Sequence, residues 1–481
     1  MRIIDQQAAL AVITLAMLAL IDAKSAMASL VKIPQNFTGS NVLDSGFFPP
    51  NTMGAAGNDQ FVELLNGRYA VYGKTGALLD SRSLDQFWRN AGVTDLARFS
   101  FDPRVLFDPM SQRWFAASVD NQPRFGVGNR VLVGVSKTAN PLDGWQGFAL
   151  NSSADQTLFA DFTTLGLNAD GVYLGANLFT GRGGRLQNVS LISVPKADLL
   201  ASAPTVDRAT FFYDQTVTGL GFTAQPAVNF GPASGRALVL AGNGEIRLSA
   251  ILRSVTDRAT LTAATVIPPL LPIVAPPPAT QPVGPKIDTF DARFTGSVIQ
   301  VGGSLWATQT VQDQGRAAFR WYEIREADQT IAQTGTIGDA EHDYFYPSIA
   351  VNALGHVVIG CNRSGSAEFI SSYAVVGHTV KGKTKFAAPL LLQAGTSNYV
   401  QLDPTGRNRW GDYSATTIDP QDPLSFWTIQ AIATDRDIWT TQITQLRIEP
   451  IPQPVPESAA GWALLGLGAI GLMTHRQRSI D

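Results

Sequence analysis

The chain has 481 residues, 45% hydrophobic and 16% charged, which excludes a mini-protein and a disordered chain and leaves material for a large buried core. Its 36 Lys and Arg against 39 Asp and Glu give a formal net charge of −3, so no basic field favours a nucleic acid. The single cysteine, Cys361, excludes an internal disulfide and a cysteine-rich metal site, and 4 histidines leave little for zinc or copper.

In chain order, Arg2, an apolar run from Ala8 to Ile21 and the small residues Ala26 and Ala28 read as a secretory signal peptide over residues 1–28, cut after Ala28. An uncleaved N-terminal anchor is the alternative, and both readings export the bulk of the chain. Residues 29–46 are read as an N-terminal segment ahead of the folded domain. From residue 47 to 449 the sequence offers short strand-like runs bounded by Gly, Asp-Pro and Asn-Pro, with almost no sustained helical period. Representative runs are Arg113 to Val119, Arg130 to Ser136, Val172 to Asn177, Ala317 to Glu323, His356 to Cys361 and Ser425 to Gln430.

A weak unit recurs, in which a hydrophobic strand enters a polar turn and a second strand returns. It starts at Phe101, at Thr163, at Pro347 and at Tyr413. Units beginning near residues 50, 100, 158, 207, 289, 342 and 407 predict an all-β fold, a β-propeller of seven four-stranded blades. Two or more β-sandwiches are the rival architecture. Residues 266–286 interrupt the pattern with eight prolines, too many missing amide donors for a central strand, and are read as an extended linker crossing between blades rather than a domain boundary.

Past the domain, Pro450, Pro452 and Pro454 lead into Val455-Pro456-Glu457, a charge-free stretch at 458–474 and the basic tail 475–481. The stretch is long enough for a membrane-crossing helix, with the arginines on the cytoplasmic side. The glycines Gly466, Gly468 and Gly471 fall in a G-x-G-x-x-G order but lack the strand and the acidic residue that a dinucleotide site needs. The order of Val455-Pro456-Glu457, apolar helix and basic cluster resembles the PEP-CTERM sorting signal, with Ser458 where that family has a second proline. The resemblance implies processing by an exosortase-type protease, a transient hold in the inner membrane of a Gram-negative cell, and release to the cell surface or extracellular matrix.

Inside the domain, Phe48-Pro-Pro-Asn-Thr-Met-Gly54, Phe61 to Gly76, Asp102 to Trp114, Arg320 to Glu323, Pro347 to Asn352 and Arg409-Trp-Gly-Asp-Tyr413-Ser resemble a family of exported bacterial proteins with sialidase-like β-propellers. The resemblance implies fold and export rather than a reaction, and the Asp-box of true sialidases is absent.

A glycosidase needs two neighbouring carboxylates, or a tyrosine nucleophile with an acidic partner and an arginine cluster. Asp102, Asp108, Asp161, Glu323, Glu341, Asp343 and Asp412, with Tyr346, Tyr413, Arg104, Arg363 and Arg409, are of the right types, but no spacing selects a pair, so no catalytic residue is assigned. The segment Arg407, Arg409, Trp410, Asp412 and Tyr413 has the vocabulary of a glycan platform, a ring to stack on beside a guanidinium clamp. The competing reading packs Trp410 between sheets and pairs Arg409 with Asp412. The aromatic pairs at Trp114, Trp321 and Trp427 read as packing between blades, and Cys361 as a small buried hydrophobe. No cofactor or metal is expected: Asn168-x-Asp170-Gly171 and Asp403 to Asn408 offer oxygens to calcium, but the simpler reading is Asx turns. The expected role is binding of a polysaccharide or another protein without catalysis, the alternative a sialidase-like glycoside hydrolase or lyase.

Overall fold

A computed structural model describes residues 31–449 except 97, 122–127 and 254–257. The signal cleavage residues Ala26 and Ala28, the sorting motif Val455, Pro456 and Glu457, and the apolar stretch 458–474 lie outside the described residues. Among the described residues no helix is long and apolar enough to cross a membrane.

Seven antiparallel sheets form the blades of a β-propeller. From the inner strand outward, blade 1 is Met53–Ala56, Gln60–Leu65, Arg68–Gly73 and Leu78–Arg82. Blades 2, 3 and 4 open with inner strands Ser100–Asp108, Phe159–Leu167 and Gln225–Pro226, and blades 5 and 6 with Ile299–Val301 and His342–Val351. Blade 7 starts at Ala415–Ile418, continues through Ser425–Asp435 and Ile438–Ile448, and takes its outermost strand, Val31–Asn41, from the far N-terminus. That strand closes the ring. Residues 31–41 therefore belong to the propeller, where the sequence reading starts the folded domain only at residue 47.

Each sheet is packed on both faces, which is why its strands carry consecutive buried apolar residues rather than a strict alternation. Val105, Leu106 and Phe107 of blade 2 are all buried, for example. Trp114, Trp321 and Trp427 lie inside such interfaces, and Cys361 is fully enclosed. Hairpins close with left-handed residues where the strand twist demands them: Gln314 (φ 48) and Gly315 (φ 78) join two strands of blade 5 in the two-residue form that matches the twist.

The fourth expected unit, near residue 207, is displaced. Thr210–Thr216 is the outer strand of blade 3, paired with Leu186–Pro195, and blade 4 begins only at Gln225. Its inner strand is two residues long and contains Pro226, which cannot donate to a ladder, so it carries no strand pattern. The proline-rich stretch runs from blade 4 to blade 5. The buried Arg320 pins it by donating to the carbonyls of Leu271 (3.2 Å) and Pro272 (2.8 Å).

Inner strands all begin at one end of the ring, here the entry end, and finish at the exit end. Val31 and Ile448 pair with each other at the exit end.

Candidate functional site at the entry end

Where the inner strands begin, the backbone repeats one device. Asn51 (φ 50), Asp102 (φ 51), Phe162 (φ 58), Thr223 (φ 53) and Tyr346 (φ 49) take up left-handed conformations, unusual for threonine and the aromatics. In blades 2, 3 and 6 the strand register slips at this point, between Phe101 and Arg104, Asp161 and Thr164, and Phe345 and Ser348. A bulge re-aims the side chain it carries, and here it delivers Asp102, Phe162 and Tyr346 toward the axis. Backbone strain of about 1–3 kcal/mol at each such residue persists only where the surroundings impose it.

The surroundings are a charged cluster drawn from five blades. The Asn51 side-chain amide donates to Asp102 (2.5 Å) and to Asp412 (2.9 Å), joining blades 1, 2 and 7. Asp102 also accepts from the Phe162 amide (2.7 Å), and the neighbouring Asp161 acts on it electrostatically. Arg409 donates to Asp412 (2.8 Å) and lies 3.6 Å from Asp288. Arg104 crosses the axis: its Nε donates to the Thr163 carbonyl of blade 3 (2.8 Å), its Nη1 to the Thr295 carbonyl ahead of blade 5 (3.1 Å), and its guanidinium lies 3.5 Å from the centre of the Tyr413 ring of blade 7. Arg293, held by Asp291, covers the rings of Phe290, Phe222 and Phe162 at 4.0, 4.3 and 4.7 Å. Together these groups form a septum across the ring.

Electrostatics in this layer follow from burial and like charge. Burial, then the neighbouring Asp161 and Asp412 carboxylates, push the Asp102 carboxyl well above the ordinary carboxylate range. Burial also raises Asp161, opposed by its hydrogen bond with Asp102, and raises Asp288, opposed by Arg409 and Arg407. Burial lifts the phenols of Tyr346 and Tyr413 and lowers Arg104. A carboxyl whose folded pKa is raised favours the native state below its unfolded pKa, and that contribution is lost as pH climbs through the folded value. Asp102→Asn, which stays neutral, is therefore expected to flatten the decline in stability above about pH 4. The decline removed is about 1.4 kcal/mol for each pH unit over which the wild-type carboxyl stays protonated in the fold but ionises in the unfolded chain. Urea unfolding of both proteins from pH 4 to 8 measures this, and parallel pH profiles would contradict it.

The sequence candidates thus divide. Asp102, Asp161, Asp412, Tyr346, Tyr413, Arg104 and Arg409 do come together, although distant in sequence. Asp108 is instead paired with Lys196 (2.8 Å), Asp343 with Arg316 (3.0 Å) and Arg363 with Glu368. Glu323 accepts from Ser304 (2.9 Å), and exposed Glu341 adjoins His342 outside the septum. Of the proposed platform, Arg407 lies at the surface against Asp403 (2.9 Å). Trp410 is buried, donating to Asn362 (3.0 Å) and standing edge-on to Tyr399 (4.8 Å). Tyr413 is buried beneath Arg104, its hydroxyl donating to the Pro103 carbonyl (2.9 Å). Neither ring offers a ligand a free face, because both are needed inside. The oxygens considered for calcium are also engaged: Asn168 Oδ1 accepts from the amides of Asp170 and Gly171, and Asp403 Oδ1 from those of Thr405 and Arg407.

The arrangement holds protons and charges; it does not aim them outward. Tyr346 donates to the Asp288 carbonyl (2.9 Å), so neither central phenol is free as a nucleophile.

What faces outward at this end is aromatic. Phe47, Phe99, Phe101 and Phe159 form a continuous row, with ring centres 5.5, 5.8 and 5.9 Å apart in turn. The first three are only half-buried, and Arg182 stands over Phe99 at 5.7 Å. Phe101 directly precedes Asp102 in the chain, and Phe159 lies two residues before Asp161, which is itself half-buried. Asn51, Asp288, Arg293 and this row were not singled out by the sequence reading.

No protein-family model matches the sequence, and no curated protein is significantly similar to it. Among solved structures, the chain is similar to a protein of unknown function from Dyadobacter fermentans at 8% identity and a TM-score of 0.42, covering 87% of this chain and 100% of that one. It is similar to the quinohemoprotein alcohol dehydrogenase from Comamonas testosteroni at 9% identity and a TM-score of 0.42, covering 89% and 78%. It is also similar to the NanB sialidase from Streptococcus pneumoniae at 9% identity and a TM-score of 0.41, covering 81% and 82%. Similarity at this level says nothing about activity.

Proposed function

We propose that this is an exported cell-surface or matrix propeller that binds polysaccharide at its entry end without catalysing a reaction on it. The observation that carries the reading is the row Phe47, Phe99, Phe101 and Phe159, its first three rings half-buried and the fourth buried, beside the partly accessible Asp161. Flat aromatic faces suit the apolar faces of sugar rings, and an adjacent carboxylate suits their hydroxyls. The central tyrosines and Arg104 donate to backbone carbonyls and Arg409 to Asp412, which favours binding over turnover. Export and sorting by an exosortase-type protease rest on the resemblances of the two chain ends. Phe101→Ala is expected to weaken polysaccharide binding at least tenfold while leaving the unfolding midpoint within a few degrees. An affinity gel with soluble bacterial polysaccharides measures this, and undiminished retardation of the variant would remove the row from the site.

A further inference from the structure

At the exit end the ring holds a cavity of about 570 Å³. We propose that it is a second binding site, for a small uncharged molecule that is mainly aliphatic.

The cavity lies on the axis, walled by the inner strands of blades 1, 2, 5, 6 and 7 and by Val228–Gly231 following the short strand of blade 4. Arg104 sits immediately before Val105 on the wall and crosses the axis to Thr163 and Thr295, so the septum closes one end. The other end opens where the inner strands finish, and the partly exposed Phe230 lines it there. The volume falls within the roughly 300–1,000 Å³ typical of small-molecule sites.

The wall chemistry selects the ligand class. Met53, Val105, Ile299, Val301 and Val351 supply apolar surface. The hydroxyls of Ser348 and Thr416, also on the wall, bond each other at 2.8 Å. Among the described lining residues Asp419 is the one charged group, and it is satisfied by Lys74 (2.8 Å) and by the indole of Trp427 (2.9 Å). A charged head group entering here would lose water and meet no partner, a cost of several kcal/mol. An aliphatic chain gains about 0.8 kcal/mol for each methylene it buries. The site is independent of the polysaccharide reading, since it faces the opposite end of the ring.

The test is equilibrium dialysis of the full chain against radiolabelled 1-dodecanol, dodecanoate and dodecylammonium, the alcohol below its solubility limit and the ions below their micelle concentrations. Saturable one-site binding of dodecanol is expected, with both charged chains at least tenfold weaker. Ser297→Trp and Val301→Trp place a large ring at two half-buried wall positions, and each folded variant should lose dodecanol binding at least tenfold. Circular dichroism identifies which variants fold, and if neither does, competition between dodecanol and its charged analogues on the wild-type chain decides. No saturable dodecanol binding, equal binding of the charged chains, or full affinity in a folded variant would each overturn the proposal.

Discussion

A chain lacking residues 31–41 is expected to lose its cooperative unfolding transition. That strand is the outermost of blade 7 and pairs with Ile438–Ile448 from Val31 to Asn41. Its loss leaves the facing strand with a row of unpaired amides and carbonyls. It also withdraws Phe37, which packs on Tyr72 of blade 1 (5.7 Å) and Trp427 of blade 7 (6.4 Å). Full burial of such a ring contributes about 1.5–3 kcal/mol, of which the half-buried Phe37 realises part, and each ladder hydrogen bond contributes about 0.5–1.5 kcal/mol net. Together these terms rival the about 5–15 kcal/mol that keeps a typical protein folded. Thermal unfolding followed by near-ultraviolet circular dichroism should show a broad, early loss of signal. A sharp transition at the wild-type temperature would mean that the ring closes without the strand.

Glu63→Ala is expected to destabilise the protein by about 3–5 kcal/mol, since it leaves several buried donors without their acceptor at about 1–3 kcal/mol each. Glu63 is fully buried in blade 1, where it accepts from the amide and hydroxyl of Ser40 on the closing strand, from the Thr441 hydroxyl on its neighbour, and from the Tyr72 hydroxyl (3.2 Å). It bolts blade 7 to blade 1. Gly39 shows how closely the strand passes, since a Cβ there would come within 2.7 Å of Glu63 Oε1. Burial raises the Glu63 pKa against the lowering pull of those hydrogen bonds. The native state therefore holds the proton more tightly than the unfolded chain, and the group's contribution falls as pH rises from about 4 through the folded value. The alanine deficit should be larger at pH 4 than at pH 8, and Glu63→Gln should lose less. Guanidinium unfolding at both pH values measures the effect, and a deficit below about 1 kcal/mol would show that the bolt is not needed.

The sequence carried the blade pattern because paired strands in a propeller are long and apolar and their turns use Asn and Asp. Asn168, for instance, stands in the Asx turn its spacing suggests. The closing strand was illegible for the opposite reason. Val31–Asn41 is an edge strand, half in solvent, with few apolar residues and with Pro34 near its start. Blade 4 was misplaced because its inner strand offers only Gln225 and Pro226. The site was legible in residue type and not in arrangement. Asp102, Asp161 and Asp412 lie in three blades, and only ring closure brings them onto one axis. Trp410 and Tyr413 had the right chemistry for a ligand platform, but the interior takes them. The phenylalanine row is spread from residue 47 to 159, so no local spacing could reveal it.

The central claim, binding without turnover, is tested most directly by incubating the full chain with polysaccharides that it retains and measuring released sugar alongside equilibrium binding. Saturable binding with no product is expected, both for the wild type and for Asp161→Asn. Steady product release that Asp161→Asn or Asp102→Asn abolishes would contradict it and establish a hydrolase.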